Sequence, residues 1–354
     1  MTTSAPARAS SVGAGFDFDL PPELESNVPP EVRGRGRDDV RMLVAESDPS
    51  RLRHAHARDL PRVMTPGDIL VVNTSATIPA ALPVTTPAGG ARLNLSSRLP
   101  GGLWTVELRS MSGGRWGADV PSEVSVPGGG RVSLLAPFGS SQRLWVASLD
   151  LGGDVIEYLA RWGSPVRYEH SKEWPLEAYQ TAYATEPGSA EMPSAGRALT
   201  PRLITDLIAR GIAVTPLVLH CGVSSLELDE DPYPERYRVP AETARRVNEA
   251  RAAGGRVIAV GTTVVRALET VVDPTGLVHP GRGWTEVVVS PGAGVSTIDG
   301  LLTGWHEPRA SHLAIVEAVA GRDLLERSYR GALDRGYQWH EFGDLHLILR
   351  TRRR

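Results

Sequence analysis

The most constraining feature of this chain is a change of hydrophobic period near Leu149. From about Ile78 to Leu149 short alternating runs ("ARLNLSSRL", "LWTVELRS", "SEVSVPGGGRVSLL", "RLWVASL") are broken by Gly and Pro clusters. That pattern predicts antiparallel strands with tight turns, closed as a small barrel or sandwich. After "LGGD" helical and strand-like segments take turns. "DVIEYLARWG" predicts a short helix, and "TPRLITDLIARG" a second one with Thr200 as N-cap, Pro201 in the first turn and Gly211 past its end. Strand "IAVTPLVLH", helix "PAETARRVNEARAAGG", strand "RVIAVG", helix "TTVVRALET", strand "TEVVVSPG", two further helices and the strand "DLHLILR" follow. Such alternation predicts an α/β fold with a largely parallel sheet and flanking helices. Upstream, "PGDILVVN" reads as another buried strand after a Pro-Gly turn. The expected organisation is therefore a discontinuous α/β domain over 16–75 and 151–354, a small antiparallel β-barrel inserted at 76–150, and a flexible leader over 1–15.

A chain of 354 residues exceeds the usual size of one core, consistent with two domains. With a formal charge of -3 and pI near 6.3, attraction to a polyanion has to come from a local patch. "RGRGRDDVR" (Arg33 to Arg41) and the terminal "RTRRR" are the visible clusters, each expected to be a solvated face or tail. Cys221 is the only cysteine, which excludes an internal disulfide or a cysteine-rich metal site and fits a reducing cytoplasm. The N-terminal stretch has no signal-peptide core, and no apolar run reaches the roughly 20 residues that span a bilayer. The expected location is cytoplasmic, without membrane association.

Three stretches carry polar side chains to places where ligands bind. In "AVGTTVVRALE", Gly261, Thr262 and Thr263 lie between a strand and a helix, so the helix start either receives an anion or carboxylate or is simply capped. Neither a G-x-G-x-x-G nor a P-loop is present. "LLTGWHEPRASHL" puts His306 in a loop as a candidate acid or base, whereas His312 reads as a helix-start surface residue. The two histidines lack a carboxylate cluster, so no metal is expected. "VLHCG" ends a strand, with Cys221 expected in the core and His220 either facing the site or turned away. Finally, "MPSAGRALTPRLI" is a permissive turn with Arg197 and Ala198 at its tip.

Together "FDFDLP", "GDILVVNTSATIPAAL", "AYQTAYATEPGSAEMPSAG", "GGRVIAVGTTVVRALET", "SPG", "WHEPRASHL" and "YQWHEFGDLHLI" resemble, in order and spacing, the S-adenosylmethionine:tRNA ribosyltransferase-isomerase family of the queuosine pathway. The resemblance runs from Phe16 to Leu349. It implies an α/β domain with an inserted barrel, and S-adenosylmethionine as substrate rather than cofactor. Its ribosyl portion would pass to a 7-aminomethyl-7-deazaguanine base in tRNA and isomerise, with loss of adenine and methionine and no metal. The sulfonium acidifies the neighbouring ribose carbon, so a positioned base starts the reaction and an acid assists adenine departure.

The implied substrate-binding residues are Pro193, Ser194, Ala195, Gly196 and Arg197 of the turn, Gly261, Thr262, Thr263 and Arg266 of the strand-helix junction, and Tyr179 and Gln180. His306 and His220 are the implied acid-base groups, and Asp344, in "EFGDLHL" against the family's "SYGDA", an orienting carboxylate. The family's "PTAGLHF" is "PSAGRAL" here, "LHVGxGTF" is "LHCGVSSL", and "NFHLPxS" is "GWHEPRAS". Arg197 in place of an apolar residue would suit an anionic small acceptor or the methionine carboxylate. The alternatives to tRNA modification are therefore a lyase, transfer or rearrangement reaction on a small molecule, or non-catalytic S-adenosylmethionine binding. The acceptor partner is tRNA or a small molecule, and the oligomeric state is open.

Overall fold

The computed structural model describes residues 16–47, 50–111, 114–117, 119–167, 172–223 and 232–350; the expected leader and residues 351–354 of the arginine tail lie outside the described residues. The chain begins its main sheet with a hairpin, β1 (Arg41–Ser47) and β2 (Ser50–His56), then a one-turn helix α1 (Leu60–Val63) and the strand β3 (Ile69–Asn73). Every β3 residue is buried, as a run of β-branched and aliphatic side chains between two covered faces requires. Asp68 fixes its entry. That carboxylate accepts from the Thr65 amide at 2.8 Å and from the Arg256 amide and guanidinium, tying the Pro-Gly turn to the next sheet strand.

A short strand β4 (Ser75–Thr77) leads into β5 (Ala81–Thr86), β6 (Gly89–Arg98), β7 (Trp104–Ser110), β8 (Glu123–Ser125), β9 (Arg131–Pro137) and β10 (Leu144–Asp150). These last six close an antiparallel barrel in the order β10-β7-β6-β5-β8-β9. Leu82, Leu93, Leu95, Val106 and Val132 fill its interior, each contributing about 1.5–3 kcal/mol by leaving water.

The remaining elements are α2 (Val155–Trp162), β11 (Glu186–Ser189), α3 (Pro201–Ala209), β12 (Ala213–Leu219), β13 (Glu235–Val239), α4 (Ala241–Ala252), β14 (Val257–Val260), α5 (Thr262–Thr270), β15 (Gly281–Thr285), β16 (Gly300–Gly304), α6 (His312–Ala320), α7 (Arg322–Asp334) and β17 (Leu345–Leu349). The α3 caps follow the sequence: Thr200 Oγ1 accepts from the Leu203 amide at 3.2 Å, and Gly211 takes a φ of 77°. β4 and β11 form a separate parallel pair.

The main sheet has nine strands in the order β15-β13-β12-β3-β14-β16-β17-β1-β2. It is mixed. β12, β3, β14 and β16 run parallel at its centre, and β1 is parallel to β17, while β16–β17, β1–β2, β12–β13 and β13–β15 are antiparallel. The parallel character expected of the sheet belongs to this centre. α6 and α7 form a helical hairpin that returns the chain against β16, and Gly300, whose added Cβ would lie 2.8 Å from the Ile348 carbonyl oxygen, permits the close pairing.

The expected strand "TEVVVSPG" does not form: the strand here is β15, Gly281–Thr285, which lies upstream and shares only Thr285 with it. Beyond it a side chain replaces ladder pairing, because the Val287 carbonyl accepts from Arg266 Nε at 3.1 Å. The Arg33–Arg41 stretch is likewise more than a solvated face. Arg37 donates to the carbonyls of Gln180 and Glu177 at 2.6 and 2.8 Å, and Arg41 pairs with Asp344 at 2.8 Å.

Candidate active site

The four parallel central strands point their C-terminal ends at one cleft of about 1040 Å³, whose opposite wall is the barrel. Such an edge is where open α/β sheets hold ligands. Gly261, at the β14–α5 junction, has a φ of 92° that a side chain would strain, and it opens the first turn of α5 to the cleft. Thr262, Thr263, Pro193, Ser194 and Ala195 line the same space. Asn73 supports this floor from the end of β3: its side chain bonds both the amide and carbonyl of Leu219, at 3.0 and 2.7 Å.

His306 lines the cleft beyond the end of β16. Its Nε2 lies 2.9 Å from Thr303 Oγ1, its carbonyl accepts from Trp339 Nε1 at 3.0 Å, and its amide donates to the Tyr329 hydroxyl at 3.4 Å. Nδ1 bonds no described residue. Against the ring stacks His312, centroids 5.0 Å apart and planes 9° from parallel. Burial, then the charges of His312, His346 and His340, hold His306 well below the usual imidazole range. Burial and Arg266 bring His312 down to about 4. Both rings are thus neutral at pH 7. His312, expected on the surface, belongs to the site, because α6 begins at the cleft and directs its first side chain inward.

Glu341 is the other group that sequence reasoning missed. It lines the cleft near Glu191, and burial pushes its carboxyl up to about 8, with Glu191 adding to the rise and Arg197 opposing it. The visible signal was an acid at the serine position of the "SYGDA" pattern.

Several expected site residues are held elsewhere. Arg197 is buried away from the cleft, where its Nη2 binds both Glu31 oxygens at 2.8 and 2.9 Å, its Nε donates to the Ala178 carbonyl, and its guanidinium sits 4.9 Å over Phe342. Its partner, 166 positions away, removes it as a pocket cation. Gly196 serves packing, since an added Cβ would lie 1.8 Å from the Tyr183 hydroxyl. His220 does not reach the cleft. Its Nδ1 meets Ser75 Oγ at 2.8 Å and its Nε2 faces Glu186 at 3.6 Å, bracing β4 against β11.

Asp344 is a structural clamp, accepting from the amides of Arg41 and Gln338 at 2.7 and 2.8 Å and from Arg41 Nε at 3.0 Å. Gln180 bonds the amide and carbonyl of Thr77 at 3.0 and 2.7 Å. Tyr179 does line the cleft, packed 5.4 Å from the Phe342 ring. Arg266 lines it too, but its guanidinium is committed to the half-buried Glu235 carboxylate and to the carbonyls of Tyr233 and Val287. Cys221 is buried, as expected, and burial raises its thiol pKa.

A sheet with ligand groups at its C-terminal edge, facing an inserted barrel across a cleft that holds neutral imidazoles and a protonated carboxyl, defines an α/β protein equipped for proton transfer. The chain belongs to the family of queuosine biosynthesis proteins, whose model matches residues 14–348. It is 36% identical to the S-adenosylmethionine:tRNA ribosyltransferase-isomerase of Moorella thermoacetica, over 94% of this chain and 98% of that protein. It is 35% identical to the protein of the same name from Thermus thermophilus, again over 94% and 98%. The crystal structure of an S-adenosylmethionine tRNA ribosyltransferase from Thermotoga maritima superposes with a TM-score of 0.53 at 29% identity, covering 94% of this chain and 99% of that one.

Proposed function

We propose that this chain transfers the ribosyl portion of S-adenosylmethionine to the 7-aminomethyl-7-deazaguanine base of a tRNA and isomerises it, releasing adenine and methionine. The observation that carries the reading is the neutral His306, fixed by Thr303, Tyr329 and Trp339 in the cleft of a chain that matches the family along nearly its whole length. In the tautomer that gives its Nε2–H to Thr303 Oγ1, Nδ1 carries the free lone pair. It accepts the proton that the sulfonium makes acidic on the neighbouring ribose carbon. Glu341, protonated at neutral pH, supplies a proton to adenine as it leaves. The first turn of α5, with the Thr262 and Thr263 hydroxyls lining the cleft, suits the methionine carboxylate.

The small-molecule alternative drew on Arg197 as a pocket cation, and with that guanidinium bound to Glu31 it loses its support. Non-catalytic binding leaves unexplained why an acid and a base of matched protonation share the cleft.

Mass analysis after incubation with S-adenosylmethionine and precursor-bearing tRNA tests the reading. Free adenine, free methionine and a heavier modified base are expected, each formed at least about 100-fold more slowly with His306→Ala. Intact S-adenosylmethionine and unchanged tRNA in the presence of folded protein would overturn it.

A further inference from the structure

Among the described residues, two other than glycine take a left-handed backbone, Arg309 at a φ of 62° and His340 at 72°. Both line the cleft. Arg309 belongs to the loop between β16 and α6 that carries His306, and His340 directly precedes Glu341 in the segment between α7 and β17. Such strain persists only where surrounding contacts over-determine the chain, and it gathers at functional sites.

Both strained points are held in that way. The Arg309 amide donates to the Phe16 carbonyl at 3.1 Å, and the Ala310 amide to the Glu307 carbonyl at 3.2 Å. At the second point the Gly343 amide donates to the His340 carbonyl at 3.0 Å, in a turn so tight that a Cβ added to Gly343 would run into the carbonyl oxygens of Gln338 and Trp339. The N-terminal segment closes the outer side. There the Trp339 amide donates to the Leu24 carbonyl at 2.8 Å, and its carbonyl accepts from the Ser26 amide at 3.1 Å.

Between these points the two segments grip each other. His340 Nδ1 lies 3.2 Å from Glu307 Oε1 and its Nε2 lies 3.8 Å from Glu25 Oε2, while one residue earlier Trp339 Nε1 donates to the His306 carbonyl at 3.0 Å. Two consecutive residues, Trp339 and His340, thus hold two others, His306 and Glu307. Glu307 follows the base, and His340 precedes the acid. We propose that the His340–Glu307 pair is a positioning brace that fixes the spacing of His306 and Glu341 across the cleft. This rests on the function proposed above and adds what sets the geometry of its base and acid. Groups carried on separate loops react efficiently only when that geometry is held before the reaction starts.

His340→Ala, Glu307→Ala and the double substitution test the brace, with adenine release, S-adenosylmethionine affinity and the denaturation midpoint read in parallel. Each single change should lower kcat about 10- to 100-fold, with affinity altered less than about threefold. The double should lose no more than the worse single, because two halves of one contact act as a unit. The pair is partly exposed, so the midpoint should barely move. Glu307→Gln keeps an oxygen toward His340 and should recover most of the rate. His340→Gly adopts the same backbone without strain and should show the loss of His340→Ala.

The pH profile separates bracing from a merely structural role. Burial first and the Glu191 charge second keep Glu341 protonated against Arg197, and Glu25, His340 and Glu307 are further titratable groups in the cleft wall. Once the brace is cut, Glu341 meets water, so the alkaline decline of kcat should start below about 8 in both single Ala variants. Loss of charge alone would not move it the same way in both, since one variant removes a carboxylate and the other an imidazole. Folded variants with wild-type kcat and an unmoved decline would overturn the brace and leave the functional reading standing. Multiplying losses in the double variant would overturn it too. If the wild type releases no adenine, the functional reading falls and the brace with it.

Discussion

The barrel and the main sheet present opposite chemistry to the same cleft. The barrel offers hydroxyls and guanidiniums paired to the buried Glu107 carboxylate, whereas the sheet offers neutral imidazoles, a protonated carboxyl and a helix start. Their construction differs accordingly. The barrel is closed by antiparallel neighbours and exposes no edge, so its polar wall rests on a rigid cylinder. The sheet side gathers its groups from loops after β14, β16 and α7, each tied down by long-range bonds such as Trp339 to His306. The contrast teaches that the barrel wall is braced by buried ion pairs, whereas the sheet edge gathers the groups that can move protons.

The sharpest way to break this contrast is His306→Ala. Loss of a positioned base costs about 100- to 10,000-fold in rate, and adenine release should fall within that range while tRNA affinity stays at the wild-type value. A matching loss of tRNA binding would mean that His306 also holds the acceptor.

Asp344→Asn comes next and separates scaffold from chemistry. The buried carboxylate bonds two amides and Arg41, joining the start of β1 to the segment before β17. Replacing it should cost about 1–3 kcal/mol of stability, read as a lower denaturation midpoint, with the rate of the folded enzyme changed less than about threefold. A large rate loss at unchanged stability would restore Asp344 to the reaction.

Glu341→Gln probes a smaller effect. Because the folded carboxyl titrates near 8 rather than 4.5, it donates a proton below that value, and wild-type kcat should decline as pH rises through about 8. The stability contribution has the same sign. It is full below about pH 4.5 and is lost as pH climbs toward 8, since the folded state binds the extra proton. The Gln variant should run severalfold slower at pH 7 and show neither decline. An unaltered alkaline limb would assign that titration to another group.

Local pattern made much of this legible from the sequence. The β14–α5 junction was visible because an apolar run meets Gly261 and then a helical stripe, and α3 because Thr200, Pro201 and Gly211 punctuate it. The mixed sheet was not, since burial on both faces writes the same hydrophobic run in parallel and antiparallel strands. Arg197 illustrates the limit at the site. Its neighbours predicted a turn correctly, yet its role depended on Glu31, a residue distant in sequence and brought near by the 3-10 turns before β1. His312 shows the reverse: as a helix-start residue it read as surface, and only the angle of α6 against β16 brought its ring onto His306.

Hydrogen exchange with S-adenosylmethionine tests the assignment of the sheet-edge site most directly. Bound S-adenosylmethionine should slow exchange at the start of α5 and in the loop from Thr303 to His312. Binding that leaves exchange in both segments unchanged would contradict the assignment.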